Sequence, residues 1–397
     1  MKILIINHFP LDGSGSGVYT KNLAKELTKI GHRVKVIFPE NRTVPPEIFE
    51  IRPIMFKNNH NKNYEIDFNF PCFTSHPRSN NTFYELDEKQ MGNYIDIMTR
   101  VTREEADQFK PDIIHAQHLW IAPYAAWKTG IPYVATAHGT DLKGFIEDKR
   151  YHPYALEGAQ NAQKIITISK QVDREVNELY HIEDKKRKII YSGYDTDLFK
   201  VKDLSRKEVL AEFGINDIPN HIVFFAGKLA HFKGVDILLK AAKIYENQMK
   251  EKTMTLIAGN GILYEELKKL RDFLKLKRTF FLGHVNQKQL GDLFNVADVS
   301  TVPSRSEPFG LVAIEALACG TPVVGTNQGG LIDFINPDIG ALVDVEDDIA
   351  LAEAIINELV RPDKQERKKR VHEYAMNNFS WDNTIKEVEK IYQEVIS

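Results

Sequence analysis

At 397 residues the chain is longer than one hydrophobic core ordinarily organises, so two domains of about 150 to 200 residues are expected, and an apolar fraction of 43% suffices to fill both. A formal net charge of −3 argues against the broad basic footprint of a nucleic-acid binder. Two cysteines, Cys72 and Cys319, stand far apart without metal-ligand spacing, and no window holds 18 consecutive apolar residues, so neither a structural zinc site nor a membrane-spanning helix is expected.

The opening run MKILIIN lacks the length and cleavage chemistry of a signal peptide, and with so few cysteines a soluble, cytoplasmic protein is the expectation. Strand and helix signals then alternate, which predicts an α/β chain with parallel sheets. Lys2 to Asn7 reads as a buried strand. Val18 to Ile30 carries helical spacing at Val18, Leu23, Leu27 and Ile30, and Gly31 closes it. His32 to Phe38 is the next strand. From Glu40 to about Asn93 the chain is rich in Asn, Pro and aromatics with little periodicity, and reads as a long excursion of the kind that carries recognition. Short apolar strands resume at Asp112 to His115, Tyr133 to Ala137, Lys164 to Ile168 and Lys188 to Tyr191. After a loop from Ser192 to Lys200, strands are predicted at His221 to Ala226, Met254 to Ala258, Thr279 to Leu282, Val299 to Val302 and Pro322 to Gly325. The final segment, Trp381 to Ile396, reads as an amphipathic helix. A domain boundary is placed near Leu198, giving 1–198, 199–378 and a C-terminal segment 379–397. In open sheets, ligands bind at the carboxyl ends of the strands.

The stretch Ser304 to Gly320, SRSEPFGLVAIEALACG, is the most informative. It sets Glu315 among Leu311, Val312, Ile314, Leu317 and Ala318, where a carboxylate costs several kcal/mol unless hydrogen-bonded or paired. Glu307 precedes Pro308, which suits the first turn of that helix and places Glu307 in the loop at its N-terminus. Two carboxylates at a positive helix end fit a phosphate-bearing, polyhydroxylated ligand: the amides take the phosphate and the carboxylates accept from hydroxyls. The alternative is a surface helix whose glutamate reaches water.

The loop His8 to Gly17 carries Gly13, Gly15 and Gly17, whose exposed amides favour an anion. Glu40 ends the second strand where a dinucleotide fold has its ribose acid, but the glycine spacing is not G-x-G-x-x-G and the loop is too long. Lys228 and Lys233 follow the strand Phe224 to Ala226, where two ammonium groups would neutralise a diphosphate leaving group; solvated surface lysines are the alternative. His138 directly follows a strand and has both a site and a structural reading. His115 and His118 lack a third ligand at metal spacing. Asp195 and Asp197 form an Asp-x-Asp that turn and cap chemistry explains better than a metal. Two basic runs, Lys185 to Lys188 and Arg367 to Arg370, have acidic neighbours and read as solvated faces, with contact to an anionic membrane surface as the alternative.

With these residues together, nearly the whole chain resembles glycosyltransferase family 4, the retaining nucleotide-sugar transferases of the GT-B fold. The resemblance rests on Glu307 and Glu315 with seven residues between them, supported by Gly-Lys-Leu at 227–229, Lys233-Gly234, Gly259-Asn-Gly261 and Leu282-Gly-His-Val285. It implies two Rossmann-like domains facing across a cleft, the first binding acceptor and the second the nucleotide sugar, with a final helix crossing back to the first. It further implies that Glu315 holds the donor ribose, Glu307 contacts the transferred sugar, and Lys228 and Lys233 sit on the diphosphate. His284 and Val285 would lie by the base, Phe309, Gly310 and Leu311 would line the donor site, Gly15, Ser16 and Gly17 would approach the phosphates, and His138 would stand near the reaction centre. The family usually has arginine where this chain has Lys228, so the contact loses its bidentate fork.

The implied reaction moves a hexosyl unit with retention from a nucleotide-diphosphate sugar, UDP-sugar favoured, to a small polar, glycan or lipid-linked acceptor, without metal or other cofactor and with at most peripheral membrane contact. His76 and Arg78 in the Phe70 to Phe83 stretch, together with Asp141, are the candidate acceptor contacts. A nucleotide-sugar 2-epimerase of the same fold is the main rival, with a phosphorylase-like enzyme and a non-catalytic nucleotide-sugar sensor behind it.

Overall fold

In a computed structural model of the protein, which describes residues 1–58, 63–74, 76–79 and 81–397, the buried apolar runs pair into two separate, wholly parallel sheets. The chain divides into one unit of Met1–Ser192 with Thr384–Ser397 and a second of Gly193–Asn383, so the division precedes the expected Leu198.

The first unit contains β1 (Lys2–Ile6), α1 (Gly15–Lys29), β2 (Arg33–Glu40), β3 (Glu50–Met55), α2 (Glu88–Phe109), β4 (Ile113–Gln117), α3 (Ile121–Trp127), β5 (Tyr133–Ala137), α4 (Thr140–Glu147), α5 (His152–Gln160), β6 (Lys164–Thr167), α6 (Lys170–Tyr180) and β7 (Arg187–Ile189). Its strand order is β3-β2-β1-β4-β5-β6-β7. Helices cover both faces of such a sheet, so its strands are continuous apolar runs: Ile3 to Ile6, Ile113, Ile114, Val134, Ile165 and Ile166 are fully buried. Each such side chain contributes about 1.5 to 3 kcal/mol of burial free energy.

Helix α1 starts at Gly15, three residues before the predicted Val18, because Ser14 caps it by accepting from the Gly17 amide at 3.1 Å. The excursion after Glu40 is also more ordered than its composition implies. It contains β3, which lies at the sheet edge beside β2, and Phe38 opposes Pro53 there. Proline is tolerated at such an edge but weakens the strand signal. The rest, of which residues 59–62, 75 and 80 lie outside the described residues, packs through aromatic rings: Phe73 and Phe83 are 4.9 Å apart, and Phe83 meets Tyr94 of α2 at 5.3 Å.

The second unit contains α7 (Arg206–Ala211), β8 (His221–Ala226), α8 (Val235–Gln248), β9 (Thr253–Ala258), α9 (Tyr264–Phe273), β10 (Thr279–Gly283), α10 (Gln287–Val296), β11 (Val299–Val302), α11 (Leu311–Ala318), β12 (Val323–Thr326), β13 (Gly340–Val343), α12 (Asp348–Leu359) and α13 (Lys364–Phe379). Its order is β10-β9-β8-β11-β12-β13, around a core that includes Val223, Phe225, Leu238, Ile257, Val299 and Ile355. Strand β13 was not anticipated: four residues following Asn-Pro-Asp give too short a pattern to read.

The last helix, α14 (Trp381–Ile396), belongs to the first unit from Thr384 onward. There its predicted apolar stripe is buried at Ile385, Val388, Ile391 and Tyr392, and the Tyr392 hydroxyl meets His115 Nδ1 at 2.5 Å. Among the described residues no helix is long and apolar enough to cross a membrane.

Candidate active site

Each sheet reverses its strand order once, between β1 and β4 in the first unit and between β8 and β11 in the second. The crevice outside the carboxyl ends at such a switch is where open α/β sheets bind ligands. In the second unit the loops that leave this point are 227–234 after β8 and 303–310 after β11, and they carry Lys228, Lys233 and Glu307.

The two loops are joined closely. Gly234 has φ +65°, and a Cβ there would stand 1.9 Å from the Pro303 carbonyl oxygen, so this approach requires glycine. Arg305 donates its backbone amide to the Phe232 carbonyl at 2.8 Å and its guanidinium to both Asp236 oxygens at 2.8 Å. The result brings Lys233 Nζ to 2.6 Å from Glu307 Oε2, to which the Ser304 hydroxyl also donates at 3.3 Å. Gln328 Oε1 accepts from the Glu307 amide at 3.3 Å and the Glu307 carbonyl accepts from Gly330, so the residue is held at both ends.

Helix α11 begins at Leu311, after Gly310 with φ +101°. Pro308 is therefore in the loop and does not form the first helical turn, as its usual N1 preference implied; the left-handed glycine separates it from the helix. Phe309 and Gly310 are buried and Leu311 is half-buried. Glu315, itself half-buried, sits between buried Ile314 and Ala316. The expectation that such a carboxylate is paired is not met: among the described residues it has no hydrogen-bond or ion-pair partner. Burial first, and then the negative charge of Asp195, push its carboxyl up to about 8. Asp195 Oδ1 itself accepts from the amides of Asp197 at 2.9 Å and Leu198 at 3.2 Å, which is turn chemistry. Lys228 is half-buried, His284 is exposed at the end of β10, and Val285 is half-buried beside it.

In the first unit, Gly15 and Ser16 open α1, with Gly17 buried behind them. His138 follows β5 and is 9% exposed; its Nε2 lies 2.9 Å from Gln117 Oε1, and its ring packs against His118 at 4.6 Å and Tyr19 at 5.1 Å. Burial lowers its imidazole to about 3, so the ring is neutral across the physiological range. Asp141, read as an acceptor contact, is fully buried: its oxygens accept from the Leu119 amide at 2.7 Å and the His138 amide at 3.1 Å, joining the loops after β4 and β5. Burial nevertheless raises it to about 6.

His76 and Arg78 are similarly engaged. His76 Nε2 donates to the Asp12 carbonyl at 2.8 Å, and Arg78 spans both Glu40 oxygens and Asp12 Oδ1, at 2.9, 3.1 and 2.7 Å. They pin the excursion to the glycine-bearing loop. Glu40, weighed as a ribose acid, is that pair's buried anion. His115 is a structural group, partnered by Tyr392 and by Thr136 at 2.7 Å. Among the described residues no group of three or more His, Cys, Asp or Glu side chains is gathered as a metal site.

The basic run Arg367 to Arg370 departs from the expected solvated face. Arg367 is 3% exposed and pairs with Glu358 at 2.6 Å, because α13 turns it inward against α12. Sequence reasoning also missed Gln117, Gln328 and Arg305. Only Arg305 had a signal, its place between the two serines before Glu307; the glutamines become neighbours of the site through strand pairing.

Residues 13–198 match the family model for Glycosyltransferase Family 4 and residues 206–377 that for Glycosyl transferases group 1. An uncharacterized glycosyltransferase of Methanocaldococcus jannaschii is 30% identical over 72% of this chain and 76% of its own. A D-inositol 3-phosphate glycosyltransferase of Corynebacterium jeikeium is 28% identical over 97% of this chain and 92% of its own. The solved structure of Anabaena Alr3699/HepE in complex with UDP-glucose superposes with a TM-score of 0.74 at 19% identity, covering 99% of this chain and 100% of that one. The chain thus belongs to glycosyltransferase family 4 and has the GT-B fold, two parallel-sheet α/β domains in one polypeptide.

Proposed function

We propose that this glycosyltransferase moves a hexosyl unit, with retention of anomeric configuration, from a UDP-sugar to a hydroxyl of a small polar or glycan acceptor, in carbohydrate biosynthesis and without a metal ion. The observation that carries the reading is that the loops leaving one strand-order switch carry two lysines and the Lys233 to Glu307 pair, with the carboxyl of Glu315 in the helix that follows. A UDP-glucose complex of a protein with the same fold supports the donor class, and a relative that acts on an inositol phosphate supports a small polar acceptor.

In this reading Glu315 receives the two ribose hydroxyls, which supply the hydrogen bonds it lacks and favour its ionised form. Lys228 and Lys233 neutralise the diphosphate as charge develops on it, the term that contributes most in such reactions. Glu307, freed in part from Lys233 as phosphate takes over that cation, contacts a hydroxyl of the transferred sugar. The acceptor oxygen bonds to the anomeric carbon on the face that the diphosphate leaves, the bond from that carbon to the phosphate oxygen breaks, and the acceptor proton passes to the departing phosphate. Contributions of Gly15, Ser16, Gly17 and His138 to handling phosphate and sugar belong to the same proposal.

The test is a thermal-shift panel of UDP-, GDP- and ADP-sugars in the presence of a chelator, on the native protein and on Glu315→Ala. Stabilisation by UDP-sugars that vanishes in the variant is expected, followed by product of unchanged anomeric configuration in NMR spectra. A native protein indifferent to every nucleotide sugar, or a variant that responds equally, overturns the donor assignment; product from donor alone points to the epimerase.

A further inference from the structure

The donor reading concerns the carboxyl ends of the second sheet. The amino ends of the same strands border a different pocket of about 360 Å³, lined by Asn220 before β8, Asp298 before β11 and Pro322 before β12. That volume lies within the range of small-molecule sites. Arg206, Arg361, Lys364, Arg367 and Lys368 line it, against the two carboxylates of Asp298 and Glu358, leaving an excess of three positive charges.

The carboxylates are engaged in part, Glu358 Oε2 being buried without a hydrogen-bond partner, and Arg361 is itself paired with Asp363 at 3.0 Å. Asp298 pairs with Arg206 at 2.8 Å and faces Lys364 at 3.6 Å, and Glu358 pairs with Arg367 at 2.6 Å. Lys368, half-buried, has neither; its ammonium reaches the Asn295 carbonyl at 3.3 Å. Arg367 directs Nη1 to the carbonyls of Pro337 and Asp338 and Nη2 to Glu358, which leaves its Nε–H buried without a partner. Lys368, half-buried and with no carboxylate in salt-bridge distance among the described residues, carries a charge whose partial desolvation an anion in the pocket offsets.

We propose that this pocket binds a small phosphate-bearing anion, inorganic phosphate or a phosphate monoester, whose oxygens accept from Lys368 Nζ and from the half-exposed Arg361 guanidinium. The inference is independent of the donor reading, since none of these residues lies on the loops that carry Lys228, Lys233 or Glu307. The half-buried position of Lys368 favours a free small anion over the headgroup of a lipid that stays in its bilayer. Charge-assisted hydrogen bonds from a fork and an ammonium are the usual means of phosphate recognition.

Isothermal titration calorimetry of the full chain with inorganic phosphate tests this. In a Lys228→Met/Lys233→Met background, which removes the cations of the donor site, a phosphate-binding event is expected to remain, and there Lys368→Met weakens it about tenfold and Arg361→Gln, at the half-exposed rim, about threefold. Arg361→Gln keeps the test open if Lys368→Met does not fold. Absence of phosphate binding to the native protein at millimolar concentration overturns the proposal, as does binding that is lost in the Lys228→Met/Lys233→Met variant or that both pocket substitutions leave unchanged there. Co-sedimentation with phosphatidate vesicles that depends on Lys368, without affinity for free phosphate, also overturns it in favour of a lipid headgroup.

Discussion

Lys233 Nζ stands 2.6 Å from Glu307 Oε2, and the two residues come from loops that follow different strands of one sheet, 74 positions apart in the chain. The Lys233 side chain is 20% exposed and that of Glu307 11%, so each is the other's principal neutralising charge in a partly desolvated setting.

Removing the cation leaves that carboxylate without its counter-charge. Lys233→Met is expected to lower stability by about 1 to 3 kcal/mol in urea denaturation and to reduce turnover on the order of 100-fold or more. A variant as stable and active as the native protein contradicts the role given to the pair.

Glu315 provides a pH signature. Its carboxyl is raised to about 8 in the folded chain from an ordinary value of 4.5, so between these values the folded state holds a proton that the unfolded state has released. Its contribution to stability is full below pH 4.5, declines as pH rises and is lost by about pH 8. Glu315→Gln removes this dependence. The urea midpoint of the variant relative to the native protein should therefore increase from pH 5 to pH 8, while affinity for the donor falls; a difference that is flat with pH refutes the raised carboxyl.

Lys228 is a point charge where the family pattern has a fork. Lys228→Arg is expected to tighten donor binding about two- to tenfold, the worth of one additional hydrogen bond to an anion. Calorimetry with UDP-sugar measures it, and unchanged or weaker binding shows that the position does not contact the diphosphate as proposed.

His115 makes the first unit sensitive to acid in the opposite sense. Burial lowers its imidazole to about 3 from 6.5, so its contribution is present above pH 6.5 and is lost as pH falls toward 3, where the unfolded chain takes up a proton that the folded chain refuses. His115→Gln should flatten the stability profile between pH 6 and pH 4 by about 1.4 kcal/mol per pH unit, relative to native. Equal slopes in the two proteins overturn this.

Much of the fold was legible because buried parallel strands are continuous apolar runs. Tyr133 to Ala137, His221 to Ala226 and Val299 to Val302 are predicted with the bounds the structure has. β3 was not legible, since Pro53 breaks its pattern and its pairing with β2 is a contact between segments apart in sequence. Of the candidate site, Glu307, Lys228 and Lys233 stood out as charges at strand and helix ends, and Glu315 as a carboxylate within an apolar helix. The engagement of Arg78 with Glu40 and Asp12, and of Asp141 with two backbone amides, did not, because each depends on which loops the sheet order brings together.

The amino-acid sequence by itself determined the alternation of strands and helices, the glycines at close approaches and the types of group available for chemistry, since periodicity and backbone preference act over a few residues. Tertiary structure decided which of those groups are partnered. The order of strands sets Lys233 against Glu307, leaves the half-buried Glu315 near Asp195 without a counter-charge and turns Arg367 inward, and burial then sets the charge that a side chain carries, a long-range effect that local spacing does not encode.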